Sequence, residues 1–402
     1  MSLRLRSWYE AARWRLRGEP LAAKAAWRDG AGPRAPRDTR DHLEATIAWL
    51  ERAHDATGCK GVARSYTLRR HRHYRVAGWL PAYPETTGYI IPTLYEAARL
   101  LSQPRLAARA TEMADWEAEI QLASGAVRGG TVADPESPAI FNTGQVLFGW
   151  LAAFEATGER RFMDCSARAA HWIVENQDKD GAWRRGASRF VTPGGHVYNA
   201  RAAWGLCRFG VEADDDAAKA AARRAATFAL SNQRANGWLG DNCLTDPDRP
   251  LTHTIAYAAQ GLLEIGLLLS EVRFVEAARR TARGCLKALR EDGFLPGRLD
   301  REWQPAVDWS CVTGAAQMAL VWDRLHALDR DAVFKDAADR ALRHVLSTQS
   351  LESSDPGIRG GVPGSFPIWG GYGTFEHLNW AAKFLADLLL GRLAGAPGGT
   401  RG

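Results

Sequence analysis

The chain has 402 residues, 46% hydrophobic and 24% charged, with a formal net charge of +6. Those fractions are ordinary for a globular protein, and no run of about 18 apolar residues is present to span a bilayer. The positive excess is spread out, with no Lys/Arg block of the nucleic-acid type, so no nucleic-acid partner is expected, while an acidic polymer is compatible with it.

Residues 1–36 form a basic segment in which Trp8 and Trp14 are interleaved with Arg4, Arg6, Arg13, Arg15 and Arg17. It has neither the apolar stretch nor the cleavage site of a secretory signal. Residues 1–17 suit peripheral contact with a membrane surface; the other reading is a crossing or frayed helix. The cysteines, at 59, 165, 207, 243, 285 and 311, form no CxxC pair and read as reduced small hydrophobes. A cytoplasmic protein is expected, with the inner membrane face as the place of any peripheral contact.

From residue 37 to 392 two kinds of helical pattern alternate. Amphipathic patterns, apolar at i, i+3, i+4 and i+7, begin near Arg40, Gln103, Arg161, Asp215, Glu271 and Asp331. Patterns apolar on most faces begin near 87, 142, 197, 252, 308 and 374. A helix apolar all round is buried on all sides. Six buried and six amphipathic helices in alternation predict an all-α fold, an (α/α)6 toroid of six helical hairpins in one domain. Residues 393–402 are expected to be a disordered tail.

Links from inner to outer helices are short. Links from outer to inner helices are long: 56–86, 125–141, 179–196, 233–251, 291–307 and 350–373. Long loops inside a compact domain are usually functional, and all six must emerge at the same end. Several open alike, most fully in NQDKDGAWRRG and NQRANGWLGD. This is a helix stop, a tight Asp/Asn-Gly turn and an aromatic plug. Residues 177–183 fit the QxxDGxW repeat of triterpene cyclases, but no acidic DxDD run stands at an inner rim, so the signal speaks for fold.

The loop end is where a site is expected. The segment GWLPAYPETTGYIIPT supplies Trp79, Tyr83, Glu85 and Tyr89. Aromatic faces stack on sugar rings while carboxylates and amides bond hydroxyls. The matching rim positions hold Asn142 and Gln145; His196, Tyr198, Asn199 and Arg201; His253 and Tyr257; Asp308 and Trp309; and Trp369, Tyr372, Glu376 and His377. Structural roles stand beside these: Glu85, Asp308, Asn142 and Asn199 as helix caps, and His253 and His377 as core histidines. No HExxH, CxxC, P-loop or dinucleotide fingerprint is present, so no metal and no cofactor is expected.

The pattern resembles the (α/α)6-toroid carbohydrate enzymes: unsaturated glucuronyl hydrolases, other six-hairpin glycosidases, toroid polysaccharide lyases and glucuronyl C5-epimerases. The opening GWLPAYPETTGYIIPT and the closing PGIRGGVPGSFPIWGGYGTFEHLNWAAKFLAD look like the VpsJ-like proteins of exopolysaccharide clusters. The glucuronyl hydrolases carry a catalytic Asp that opens an inner helix. The resemblance places that role at Asp308, though Trp309 and Cys311 replace small residues there. The resemblance implies a polysaccharide or oligosaccharide partner. Three functions follow as expectations. The first is glycoside hydrolysis by a carboxylate pair, Glu85 and Asp308 with Glu376 as alternate. The second is uronate lyase or C5-epimerase chemistry through His196, Tyr198, Arg201 and His253. The third is a non-catalytic glycan-binding subunit of polysaccharide biosynthesis.

Overall fold

A computed structural model describes residues 2–187 and 191–395. Residues 396–402 of the expected tail lie outside the described residues, and 57% of the chain is helical. Two helices, α1 (Leu3–Leu16) and α2 (Pro20–Asp29), precede the ring. The outer helices are α3 (Thr39–Asp55), α5 (Pro104–Glu119), α7 (Arg160–Glu175), α9 (Asp216–Ser231), α11 (Val272–Leu286) and α13 (Ala332–Thr348). The inner helices are α4 (Pro84–Leu100), α6 (Ile140–Thr157), α8 (Ala200–Glu212), α10 (Thr252–Leu268), α12 (Val312–Asp329) and α14 (Asn379–Leu393). Each inner helix packs on the next, and α14 returns to pack on both α4 and α3, which closes the ring.

Small residues set the inner spacing. A Cβ on Gly205 of α8 would lie 2.2 Å from the carbonyl oxygen of Gly144 on α6, and a Cβ on Gly144 would lie 2.5 Å from that of Ala202. Only glycine admits backbones at that distance. Outer helices bury one stripe: Phe162, Ala169 and Ile173 of α7, and Phe274, Ala277 and Ala278 of α11, are fully buried. Asp215 and Asp331 N-cap α9 and α13, accepting from Ala218 N at 2.9 Å and Val333 N at 3.0 Å.

The repeated turn motif has a structural role. Gln177 Nε2 donates to the Gly181 carbonyl at 3.1 Å and to the Ala221 carbonyl of the next outer helix at 2.9 Å. Arg224 of that helix returns a bond to Gln177 Oε1 at 2.6 Å. One hairpin later, Gln233 Nε2 reaches the Ala277 carbonyl at 2.8 Å and Arg280 reaches Gln233 Oε1 at 2.6 Å. Gly181 and Gly237 sit at φ of 92° and 87°, which any Cβ would strain. The motif therefore clamps neighbouring outer helices, and Trp183 plugs the turn by donating to the Ile173 carbonyl at 3.0 Å.

At the loop end, β1 (Ser65–Thr67) pairs antiparallel with β2 (Gly78–Trp79) and with β5 (Glu376–Leu378), stitching the first long link to the last. A second pair joins β3 (Ser310–Cys311) to β4 (Ser365–Phe366). The last inner helix thus begins at Asn379 rather than near 374, because residues 376–378 are held as a strand.

The α1–α2 hairpin lies on this same end. Trp14 and four alanines of α2 pack with Leu68, Ile358, Ile368 and Phe375. Asp29 Oδ2 accepts from Ile368 N at 2.8 Å, and Glu19 Oε1 accepts from Arg70 N at 3.0 Å. Among the described residues, no helix is long and apolar enough to cross a membrane.

Candidate functional site

A cavity of about 380 Å³ opens among the long links and the first turns of the inner helices. That lies within the range of small-ligand pockets, about 300–1,000 Å³. Its wall is largely aromatic: Tyr74, Tyr83, Tyr89, Phe141, Trp183, Tyr198, Tyr257, Tyr372 and Trp380. The polar lining comes from Arg64, His71, His73, Glu85, Thr131, Asn142, His196, Asn199, His253 and Thr254.

Glu85 is the second residue of α4, following Pro84 at the first helical position. Its carboxylate does not cap the helix; Oε2 accepts from the Tyr83 hydroxyl at 2.6 Å. Burial pushes its pKa up to about 7, against the opposing pull of Tyr83 and Arg64. Glu85 is the one carboxylate in the described lining. Its protonated and ionised forms therefore coexist near neutrality, the condition for a proton donor or acceptor at working pH.

His253, the second residue of α10, lines the cavity between Tyr257 and Tyr372, with ring centroids 4.3 and 5.3 Å away. Its Nδ1 lies 2.6 Å from Gln317 Oε1; with that oxygen accepting, Nδ1 is the protonated nitrogen and Nε2 the one with the lone pair. Burial lowers its pKa to about 4, so the ring is neutral at physiological pH. His196 is oriented by a 2.6 Å contact from Nε2 to the Thr192 carbonyl and stacks on Tyr198 at 15° between planes.

One wall is built where the link between α3 and α4 meets the link between α5 and α6, which carries Thr131 and Asp134. Asp134 is a buried hub: it receives His73 Nε2 at 2.9 Å, the Tyr74 hydroxyl at 2.8 Å and Thr131 N at 2.8 Å. Burial opposes its ionisation, but these donors outweigh burial and hold its pKa near 2. His71, His73 and Tyr74 are not among the residues predicted from sequence; the HRHY run at 71–74, a basic and aromatic cluster inside a long link, is the signal that marks them.

Of the predicted site residues, Tyr83, Glu85, Tyr89, Asn142, His196, Tyr198, Asn199, His253, Tyr257 and Tyr372 line the cavity, and the rest fall outside its lining. Asp308 is 71% exposed at its side chain and ion-paired to Arg6 of α1; helix α12 begins only at Val312, so Asp308 neither caps it nor faces the cavity. Glu376 is buried in β5, accepting from Arg64 Nη1 at 2.6 Å and Ser65 Oγ at 2.8 Å. Burial works against its ionisation, yet Arg64 and Ser65 hold its carboxyl below the usual range. It orients Arg64, which lines the cavity 5.1 Å over the Trp380 ring. His377, 1% exposed, is a core histidine of the same strand, neutral because burial lowers its pKa to about 3.

Trp79 packs on Trp49 and Tyr66, with centroids 5.1 and 5.0 Å apart. Trp309 is pressed between Gly297 and Gly371, and Trp369 packs under the α1–α2 hairpin. Arg201 and Gln145 lie below the cavity, on the axis of the ring. Arg201 bonds Gln145 Oε1 at 3.2 Å and Gln260 Oε1 at 2.7 Å, with its guanidinium 4.8 Å from the Phe148 ring and 4.5 Å from that of Trp204. None of these five side chains lines the cavity.

On the outer wall, His54, Cys59 and Glu112 bring ligand-type atoms within 4.8 Å of one another. Arg109 Nη1 stands 3.0 Å from His54 Nδ1, so a cation there would meet a charge already in place.

No protein-family model matches the chain, and no curated protein matches it in sequence. Solved structures do. An unsaturated glucuronyl hydrolase specific for heparin superposes with a TM-score of 0.70 at 15% identity, over 90% of this chain and 98% of that one. The unsaturated glucuronyl hydrolase of Bacillus sp. GL1, described as responsible for glycosaminoglycan degradation, gives 0.70 at 14% identity, over 90% and 99%. Cellobiose 2-epimerase of Bacillus thermoamylovorans B4167 gives 0.66 at 11% identity, over 87% and 97%. The fold is an (α/α)6 toroid. At these identities the likeness carries the architecture, and the chemistry rests on the cavity itself.

Proposed function

We propose that this chain is a carbohydrate-active enzyme that seats part of a glycan in the loop-end cavity and moves a proton on or off a sugar ring. Glu85 is the proton-carrying acid and His253 the base. The observation that carries this reading is the pair of environments: one carboxyl group ionising near 7 and one imidazole held neutral, in the same aromatic cavity. Aromatic walls suit pyranose faces, and Arg64 with Asn142 and Asn199 supplies donors for a uronate carboxylate or for hydroxyls.

Hydrolysis by a carboxylate pair is less well supported, because Asp308 and Glu376 are engaged elsewhere and the described lining holds no second carboxylate. Proton abstraction beside a uronate carboxylate needs only one base, one acid and a cation or amide, and the lining offers these types, which supports lyase or C5-epimerase chemistry. An exopolysaccharide as the substrate rests on the resemblance of the two end segments to the VpsJ-like proteins.

The test is incubation with a panel of uronate and neutral polysaccharides in deuterated water. Ultraviolet-absorbing ends would mark a lyase and deuterium at C5 an epimerase. New reducing ends without either would return the site to hydrolysis. Binding with no product at all would leave it a glycan-binding subunit.

A further inference from the structure

The α1 helix presents two opposed faces. Its inner face, Ser7, Glu10 and Trp14, is buried against α2 and the loop end of the ring. The only acid of the helix, Glu10, is turned inward and accepts from Trp14 Nε1 at 3.1 Å. On the opposite face, Leu5, Trp8, Tyr9, Ala12 and Leu16 recur at i, i+3, i+4, i+7 and i+11, one stripe at 3.6 residues per turn. Four of them stand in solvent: Leu5 is 61%, Trp8 62%, Tyr9 55% and Leu16 89% exposed. Among the described residues every exposed Trp, Tyr or Phe belongs to this hairpin, the third being Trp27 of α2.

The same wheel puts Arg4 and Arg15 along one edge of the stripe and Arg13 and Arg17 along the other. An apolar stripe between two basic edges, with no exposed acid on the helix, fits the headgroup layer of an anionic bilayer, where the ring edges enter and the guanidinium groups meet phosphates. A second copy of the chain would fit less well, since it would bring basic edges together.

We infer that α1 docks the protein on the surface of an anionic phospholipid membrane, lying in the interface with its inner face still packed on the ring. The hairpin also holds Arg70, the residue before His71 of the cavity wall, through Glu19. Docking therefore sets the loop end of the toroid beside the bilayer, where membrane-attached glycans stand. The inference stands apart from the chemistry of the cavity, and the probe carries no sugar.

The test is flotation of the full chain with vesicles of equal parts phosphatidylglycerol and phosphatidylcholine. The wild-type protein should float with them, and should remain with pure phosphatidylcholine far less. Trp8→Ser with Leu16→Ser should lower partitioning by roughly tenfold or more at an unchanged melting temperature, because both side chains are exposed. Arg4→Gln with Arg15→Gln should weaken binding and flatten its salt dependence. Absence of flotation at low salt, or equal flotation of wild type and the Trp8/Leu16 variant, overturns the inference. So does a dimer in solution that the Trp8/Leu16 variant converts to monomer, since the stripe would then be an interface between copies.

Discussion

Replacing Glu85 by Gln should raise stability at alkaline pH while removing turnover. The unfolded chain ionises this group near 4.5 and the folded chain near 7. Below pH 4.5 both states hold the proton and Glu85 costs nothing. As pH rises, the unfolded chain releases the proton first, so stability falls through this window and the loss is complete above pH 7. At 1.36 kcal/mol per pH unit the full loss is on the order of 3 kcal/mol. Gln keeps the oxygen that accepts the Tyr83 hydroxyl but cannot ionise. With an unfolding entropy of about 2.1 cal/mol/K per residue, a chain of this length should melt roughly 4 °C higher as the Gln variant at pH 8 and about 1 °C higher at pH 5. Differential scanning calorimetry at the two pH values, together with turnover on an active glycan, reads both effects. A Gln variant that melts lower at pH 8, or by the same difference at both pH values, would refute the assignment of an acid held protonated by burial.

His253→Gln should reduce kcat by about 100-fold or more with KM changed little, since the ring supplies a lone pair and little of the aromatic wall; steady-state kinetics separates the two. Asp308→Asn should leave kcat and KM unchanged, because the side chain is exposed and pairs only with Arg6. Trp369→Ala should lower the melting temperature, at a cost of about 2 kcal/mol, with glycan affinity intact, because its ring packs under the α1–α2 hairpin.

The twelve ring helices were legible because their apolar periodicity is set by burial, and burial differs between the two layers of a closed ring. The loop end was legible as a place, since six long links can only gather on one side. Tyr83, Glu85, Tyr89 and His253 lie in or beside the first turns of inner helices, and helix position alone aims them at the cavity; Tyr372 reaches it from the last link, between β4 and β5. The paths of the links were not legible. Trp79, Glu376 and His377 look like rim residues in one dimension, but antiparallel pairing of Tyr66 with Trp79 and with His377 draws them into a seal. Asp308 and Trp369 were misplaced for a related reason: α1 and α2 fold back over that side of the end. Arg201 follows the rim by only a few residues, yet α8 begins after a short 3-10 turn at Val197–Asn199, which sets the guanidinium below the cavity on the ring axis.

The central claim is that one cavity both holds the glycan and handles the proton. A crystal structure of the Glu85→Gln variant with an oligosaccharide that the wild-type enzyme turns over tests it directly. A sugar ring should lie against Tyr83, Tyr198 and Tyr372, with one ring carbon between residue 85 and His253 Nε2. An oligosaccharide bound elsewhere on the toroid, or one lying in the cavity with both groups turned away from every ring carbon, would contradict it.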